Sequence, residues 1–424
     1  MAKTHWLYAF LVLAATTARA AEAPAAGGME RGAYLARAGD CIACHTAPGG
    51  ADFAGGLAFD TPVGRIYSTN ITPDRETGIG AYTLEDFARA VRQGVAKDGH
   101  HLYPAMPYPS YAKVSDADIK ALYAYFHDNV APVKQANRPS AIPMPLGFRF
   151  PLAVWDALFL KEGAYRPDPA HDARWNRGAY LVEGLGHCGA CHTPRAVTLQ
   201  EKALSDRDGS TYLSGSKFDG WFAKSLRGND RDGLGGWSEG DIVTFLKTGT
   251  TDRTAAFAGM AEVVQHSSQF LTDDDLEAIA HYLKSLRARQ GAPEAPARTI
   301  QAAAAPAEDH PSRGGAAYSQ YCVTCHRADG GGVPRIFPAL AGNDVVETAD
   351  ATSLIHIVLG GGRIAHTMAH PMPFAMPEFT KMDNREVAEV VSFIRTAWGN
   401  DAGPVTVDQV AKVRATLGKA EAKP

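Results

Sequence analysis

Long apolar runs are missing from the body of this chain. Beyond its first residues the best stretch, Leu146 to Leu160, is broken by Arg149, Pro151 and Asp156, so no interior segment reads as a membrane-spanning helix. An excess of either charge is missing too. Lys and Arg number 42 against 46 Asp and Glu, a formal net charge of -4, which provides neither a basic stripe for nucleic acid nor an acidic solvating tail. Methionine is scarce, with nine in 424 residues, and cysteine scarcer still, with six. What the chain does have is 45% hydrophobic residues, enough to bury real cores in two to four domains.

The first residues carry an export pattern. Met1-Ala2-Lys3 leads into an apolar stretch from Trp6 to Ala15, and Ala18-Arg19-Ala20 follows, the order of charge, apolar core and small-residue cleavage site of a secretory signal peptide. The apolar stretch is short for a bilayer span. Residues 1–20 are therefore expected to be a signal peptide cleaved after Ala20, leaving a mature protein on the periplasmic side of the cytoplasmic membrane.

Six cysteines in an exported chain ordinarily suggest three disulfides. Their spacing says otherwise. All six fall into three copies of one pattern, Cys41-Ile42-Ala43-Cys44-His45, Cys188-Gly189-Ala190-Cys191-His192 and Cys322-Val323-Thr324-Cys325-His326. C-x-x-C-H marks c-type haem attachment: two thiols on one helical turn form thioethers with the haem vinyl groups, and the adjoining histidine reaches the iron. One copy could be a redox dithiol or half a zinc site. Three copies that use every cysteine predict three haem c groups, anchored by Cys41, Cys44, Cys188, Cys191, Cys322 and Cys325, with His45, His192 and His326 as proximal ligands.

The text around the motifs repeats. Arg31-Gly32-Ala33-Tyr34-Leu35, Arg177-Gly178-Ala179-Tyr180-Leu181 and Arg313-Gly314-Gly315-Ala316-Ala317-Tyr318 each precede a motif. Each unit closes with apolar residues at helical spacing behind acidic or Asn capping residues, from Asp116 to Phe126, Asp273 to Leu286 and Asp383 to Trp398. Units one and two also share Gly78-Ile79-Gly80-Ala81-Tyr82-Thr83 and Gly233-Leu234-Gly235-Gly236-Trp237-Ser238, each followed by a helix ending near Gly94 or Gly249. The expected fold is all-α: three tandem class I cytochrome c domains joined by Pro/Ala-rich linkers. Their spans are 29–130, 173–290 and 312–400, with linkers 131–172 and 291–311 and a C-terminal tail 401–424. The second linker reads as a semi-rigid spacer. The first holds Trp155, Leu158 and Phe159 and is expected to pack against a domain or a partner.

A haem held by one histidine leaves a coordination position whose occupant decides between electron transfer and ligand chemistry. Unit one offers Met106 and unit two Met260, each on a Gly/Pro-rich loop before the closing helix. Unit three has Met368, Met372, Met376 and Met382. Ala375-Met376-Pro377 repeats Ala105-Met106-Pro107, and the proline holds the methionine extended, so Met376 is the choice. Met372 also precedes a proline and is the runner-up; Met382 sits too close to the closing helix. His100, His101, His266, His356, His366 and His370 compete, yet none recurs at one place in all three units. Three Met/His haems make an electron wire with no catalytic residue of its own. A haem enzyme with a displaceable sixth ligand, such as a peroxidase or sulfur-compound oxidase, and a free multihaem shuttle are the other readings.

The chain resembles the three-haem cytochrome c subunits of bacterial membrane-bound gluconate, sorbitol, fructose and alcohol dehydrogenases. The most specific text is Gly32-Ala33-Tyr34-Leu35 through Cys41 to Gly50, then Tyr67-Ser68-Thr69-Asn70-Ile71-Thr72-Pro73-Asp74, and Leu102-Tyr103-Pro104-Ala105-Met106-Pro107-Tyr108. The resemblance implies the same haem ligands. It also implies a large catalytic dehydrogenase subunit, flavin- or quinone-cofactor-dependent, with a small subunit in some complexes, and delivery of electrons to ubiquinone. In unit two Ser225-Leu226-Arg227-Gly228 stands where Asn70-Ile71-Thr72 would be expected, a local loop departure. Peripheral contact with the cytoplasmic membrane would need a surface element. Val410, Val413 and Leu417 share a helical face near Lys412, Arg414 and Lys419 that reads as an interfacial helix or a weakly folded solvated tail, and the Trp155 to Leu160 stretch is an equal candidate.

Overall fold

The computed structural model describes residues 30–145, 147–289 and 312–421. The expected signal peptide and the second linker lie outside these residues. The chain is mostly helical, but not strictly all-α as expected. Among the described residues three two-stranded antiparallel sheets interrupt the helices: Ala58–Thr61 with Gly64–Tyr67, Ser216–Phe218 with Trp221–Ala223, and Gly362–Arg363 with Ala375–Met376. Their strands run to four residues at most, too short to stand out as strands in the sequence.

Three opening helices, Arg31–Ala38, Ala173–Tyr180 and Arg313–Tyr321, cross three closing helices, Asp116–Ala124, Asp273–Ser285 and Asn384–Thr396. Glycine makes the crossings possible. A Cβ on Gly32 would stand 2.3 Å from Ala121 O, on Gly178 1.9 Å from Ala278 O, and on Gly314 2.2 Å from Glu389 O, so the backbones touch where any side chain would part them.

The closing helices begin differently from expectation in two cases. Ser115 and Thr272 are the N-caps, each accepting from the backbone N–H three residues on. The acidic residues expected as caps lie in the first turn, where they face the positive end of the helix dipole. Asp383 caps the third helix as expected. The repeated Gly-rich text leads into Leu84–Gln93 and Glu239–Thr248, capped by Thr83 and Ser238 in capping boxes. These helices end on left-handed Gly94 and Gly249 (φ 64° and 78°), at the expected positions.

Units one and two share one hydrophobic core, which runs from Tyr34, Leu35 and Leu122 through Leu181, Leu185 and Tyr212 to Leu276 and Tyr282. Unit three has its own, around Tyr318, Leu359, Val391 and Phe393. Residues 131–172 pack on units one and two. Asn70 Nδ2 donates to Val133 O at 2.8 Å, Gln135 Nε2 donates to Ala54 O at 2.8 Å, and Tyr165 N donates to Lys113 O at 2.8 Å. This stretch contains the helix Phe150–Phe159. Ser225 Oγ accepts from Arg227 N at 3.2 Å, as Asn70 Oδ1 accepts from Thr72 N at 2.9 Å, so the departure in unit two keeps the local turn.

The C-terminal segment is neither a loose tail nor an interfacial helix. Val407–Glu421 packs on Thr352–Gly360 and Asn384–Thr396 with Val410 and Val413 buried in the core, and the apolar face that suggested a membrane contact is consumed by that packing.

Candidate haem sites

Each C-x-x-C-H motif forms a short helix: Cys41–His45, Gly189–His192 with Cys188 as its cap residue, and Val323–His326 with Cys322 as its cap residue. In each, the histidine Nδ1 lies at hydrogen-bond distance from a backbone carbonyl. His45 meets Thr69 O at 2.7 Å, His192 meets Lys224 O at 2.7 Å and His326 meets Pro338 O at 2.9 Å. Carbonyl oxygens only accept, so Nδ1 carries the proton and Nε2 keeps its lone pair for a metal. Burial lowers the pKa of all three rings, His192 to about 4, and neutral imidazole is the form that ligates. The three carbonyls carry no side-chain signal, which is why sequence reasoning did not find them.

Burial pushes Cys41, Cys44 and Cys188 up to about 12 and Cys191 and Cys322 to about 11. A redox dithiol needs a thiolate favoured near neutral pH, and burial works against one at these five cysteines. Among the described residues no cluster of three or more His, Cys, Asp or Glu could hold a metal ion.

Unit three presents a cleft with Cys322, Cys325 and His326 on its wall together with Met376. Leu354, Val358, Phe374 and Phe379 complete an apolar lining, and Phe257 enters from unit two. These residues fit a haem: two thiols at thioether spacing, a nitrogen donor, a thioether sulfur and walls that a flat apolar macrocycle requires. Met376 is held in the strand Ala375–Met376, paired with Gly362. Met382 also lines the cleft. Met372 is 86% exposed and Met368 74% exposed.

Cys41, Cys188 and Met106 border the shared core of units one and two. Met106 sits on a loop, half-buried, with Tyr108 N donating to its carbonyl at 2.8 Å. Met260 does not: it is the second residue of the helix Gly259–His266, packed by Ala256, Ala261, Val264 and, from unit three, Ala365. The competing histidines have other partners. His100 pairs with Asp98 at 2.5 Å, His101 with Asp156 at 2.5 Å and His266 with Glu262 at 3.2 Å. His356 stacks on Trp221, His370 Nε2 meets Thr250 Oγ1 at 2.8 Å, and His366 is exposed.

The sites also adjoin one another. The Gly259–His266 helix packs against the Cys41–His45 helix, so the Met260 segment touches the attachment site of unit one and, through Ala365, the distal segment of unit three.

The cytochrome c family model matches residues 29–129 and 311–398. The gluconate 2-dehydrogenase cytochrome c subunit of Pantoea cypripedii is 53% identical over 393 residues, covering 91% of this chain and 89% of that protein. The cytochrome c subunit of alcohol dehydrogenase (quinone) from Gluconobacter oxydans (strain 621H) is 48% identical over 393 residues, 92% of this chain and 82% of that one. The fructose dehydrogenase cytochrome subunit of Gluconobacter japonicus is 37% identical over 431 residues, 96% and 87% respectively. With such relatives aligned along nearly its whole length, this chain belongs to the cytochrome c subunits of bacterial dehydrogenases, the members that transfer electrons and not those that carry out catalysis.

Proposed function

We propose that the chain holds three haem c groups in three tandem class I cytochrome c domains. On this reading it takes electrons from a large catalytic dehydrogenase subunit, flavin- or quinone-cofactor-dependent, and delivers them to ubiquinone from the periplasmic face of the cytoplasmic membrane. The observation that carries it is the threefold recurrence of a C-x-x-C-H helix whose histidine Nδ1 is tied to a carbonyl. When bound, haem c supplies one-electron exchange at iron. The protein's part is to fix the proximal imidazole, offer Met106, Met260 and Met376 as sixth ligands and exclude water with apolar walls. Unit two stands between the others, because the Met260 helix touches both, and this order suits a linear relay. The relatives' names support a dehydrogenase partner acting on an alcohol, sugar or sugar acid.

Mass spectrometry of the exported holoprotein, together with its alkaline pyridine spectrum, tests the reading. Three covalent haems per chain are expected. One or two would remove a unit from the relay.

A further inference from the structure

The helix Phe150–Phe159 is apolar on two sides. Its inner side carries Trp155, whose Nε1–H donates to Thr198 O at 2.8 Å, and the buried Asp156, which meets His101 Nδ1 at 2.5 Å and accepts from the Tyr108 hydroxyl at 2.6 Å. Its outer side is a stripe at i, i+4 and i+8: Phe150, Val154 and Leu158, exposed by 73%, 59% and 69%. A helix facing water puts polar residues there, and one that is apolar all round is normally covered.

The stripe does not stand alone. Phe148 precedes it, half exposed, with its ring centroid 6.2 Å from that of Phe150. Val197, fully open to solvent at 99%, neighbours the Thr198 carbonyl that Trp155 holds. Single exposed apolar residues need no explanation, but a patch built by two segments does.

Charge is withheld from the same surface. Between Pro139 and Leu160 the charged residues are Arg149 and Asp156, and both turn toward the protein. Arg149 lies 4.2 Å over the Tyr103 ring and donates to His101 O at 2.8 Å. Exposed Lys134 and Arg138 precede this stretch, and exposed Lys161, Glu162 and Arg166 follow it; the two lysines pair with Glu76 and Asp208, and Arg138 lies 4.2 Å over the Tyr67 ring. An apolar face between arginine-bearing margins complements a bilayer whose acyl boundary lies beneath anionic headgroups. Among the described residues no helix is long and apolar enough to cross a membrane, and the C-terminal helix spends its apolar face on the core of unit three.

We propose that the Phe150–Phe159 helix and the Val197 turn form the surface on which this chain rests on a phospholipid bilayer. Phe150, Val154, Leu158 and Val197 enter the interface, and Arg138 and Arg166 lie at the headgroups. This rests on the reading of the chain as a membrane-peripheral electron carrier and deepens it. Through His101 and Tyr108, Asp156 ties the helix to both ends of the loop that carries Met106. Of the three distal segments, that of unit one is therefore the one fastened to the bilayer side.

The test is co-sedimentation of the purified holoprotein with vesicles of phosphatidylethanolamine and phosphatidylglycerol. Wild type is expected to bind. The triple variant Phe150→Ser, Val154→Ser, Leu158→Ser should lose more than about tenfold in partitioning, because three apolar side chains no longer leave water. Val197→Ser should lose part of it, and Val407→Ser, which removes an exposed apolar side chain elsewhere, none. Absorption spectra and haem content read the electron-transfer assignment separately and should be unchanged in every variant. The proposal is overturned if wild type does not bind, or if the triple variant binds as wild type does. It is also overturned if the triple variant keeps vesicle binding but no longer copurifies with the catalytic subunit, since the face then belongs to a protein.

Discussion

The Tyr34 hydroxyl of unit one donates to the Asp275 carboxylate of unit two at 2.5 Å. Tyr180 of unit two returns the contact, donating to Asp118 of unit one at 2.5 Å. Each aspartate also holds the arginine of its own unit: Arg177 reaches Asp275 with Nε and Nη2 at 2.7 Å, and Arg31 Nε reaches Asp118 at 3.0 Å. The repeated Arg-Gly-Ala-Tyr text thus has a division of labour. Arginine closes its own unit, glycine lets the helices touch, and tyrosine crosses to the other unit. In unit three the tyrosine is displaced along the helix, and Tyr318 donates to Arg327 O at 2.7 Å instead.

Tyr34→Phe should therefore weaken the joint between units one and two. Asp275 is 2% exposed and would keep Arg177 while losing one donor, an effect of about 1.5–3 kcal/mol for a bond to a charged group. Urea unfolding of the holoprotein checks it, and Tyr180→Phe should behave alike. An unchanged midpoint for both would show that the exchange contributes nothing to stability.

Gly178→Ala should be among the most damaging single-methyl additions. Its Cβ would fall 1.9 Å from Ala278 O, and backbone cannot rotate aside as a side chain can, so a loss of at least about 2 kcal/mol is expected. Gly236→Ala, with nothing within 4 Å, serves as the control and should stay near wild type. Thermal unfolding compares the two.

These repeats were legible because they combine local chemistry with periodicity: the haem motifs, the opening and closing helices, and the left-handed glycines after Gln93 and Thr248. Other features depend on long-range packing that leaves no local mark. Ser115 and Thr272 do not stand out as caps in the sequence, because the acidic residues beside them give the stronger signal. Val410 and Val413 read as a membrane stripe, since a helical face looks the same whether lipid or protein covers it. The shared core of units one and two, and the carbonyls of Thr69, Lys224 and Pro338 behind the imidazoles, belong to contacts and backbone atoms that composition does not report.

Asp40 adds a pH dependence. It is 8% exposed beside Cys41, its Oδ1 has no hydrogen-bond partner, and burial, with Glu262 adding to it, raises its pKa to about 8. The folded chain then binds a proton that the unfolded chain has released above the ordinary carboxylate range. Stability from this group is full at acid pH and declines as pH rises through the interval up to about 8. Asp40→Asn should flatten that decline, with a gain at pH ~8 of at least about 1.4 kcal/mol, one pKa unit's worth, and little change at pH ~4. Equal effects at both pH values would show that the carboxyl does not titrate there.

The central claim is a methionine on each of three haems, and the oxidised absorption spectrum of single methionine variants tests it most directly. Met106→Ala, Met260→Ala and Met376→Ala should each convert one haem of three from low to high spin, whereas Met372→Ala, at an 86% exposed position, should leave the spectrum as it is. A high-spin haem already present in the wild type would contradict the account, as would an unchanged spectrum in any of the first three variants.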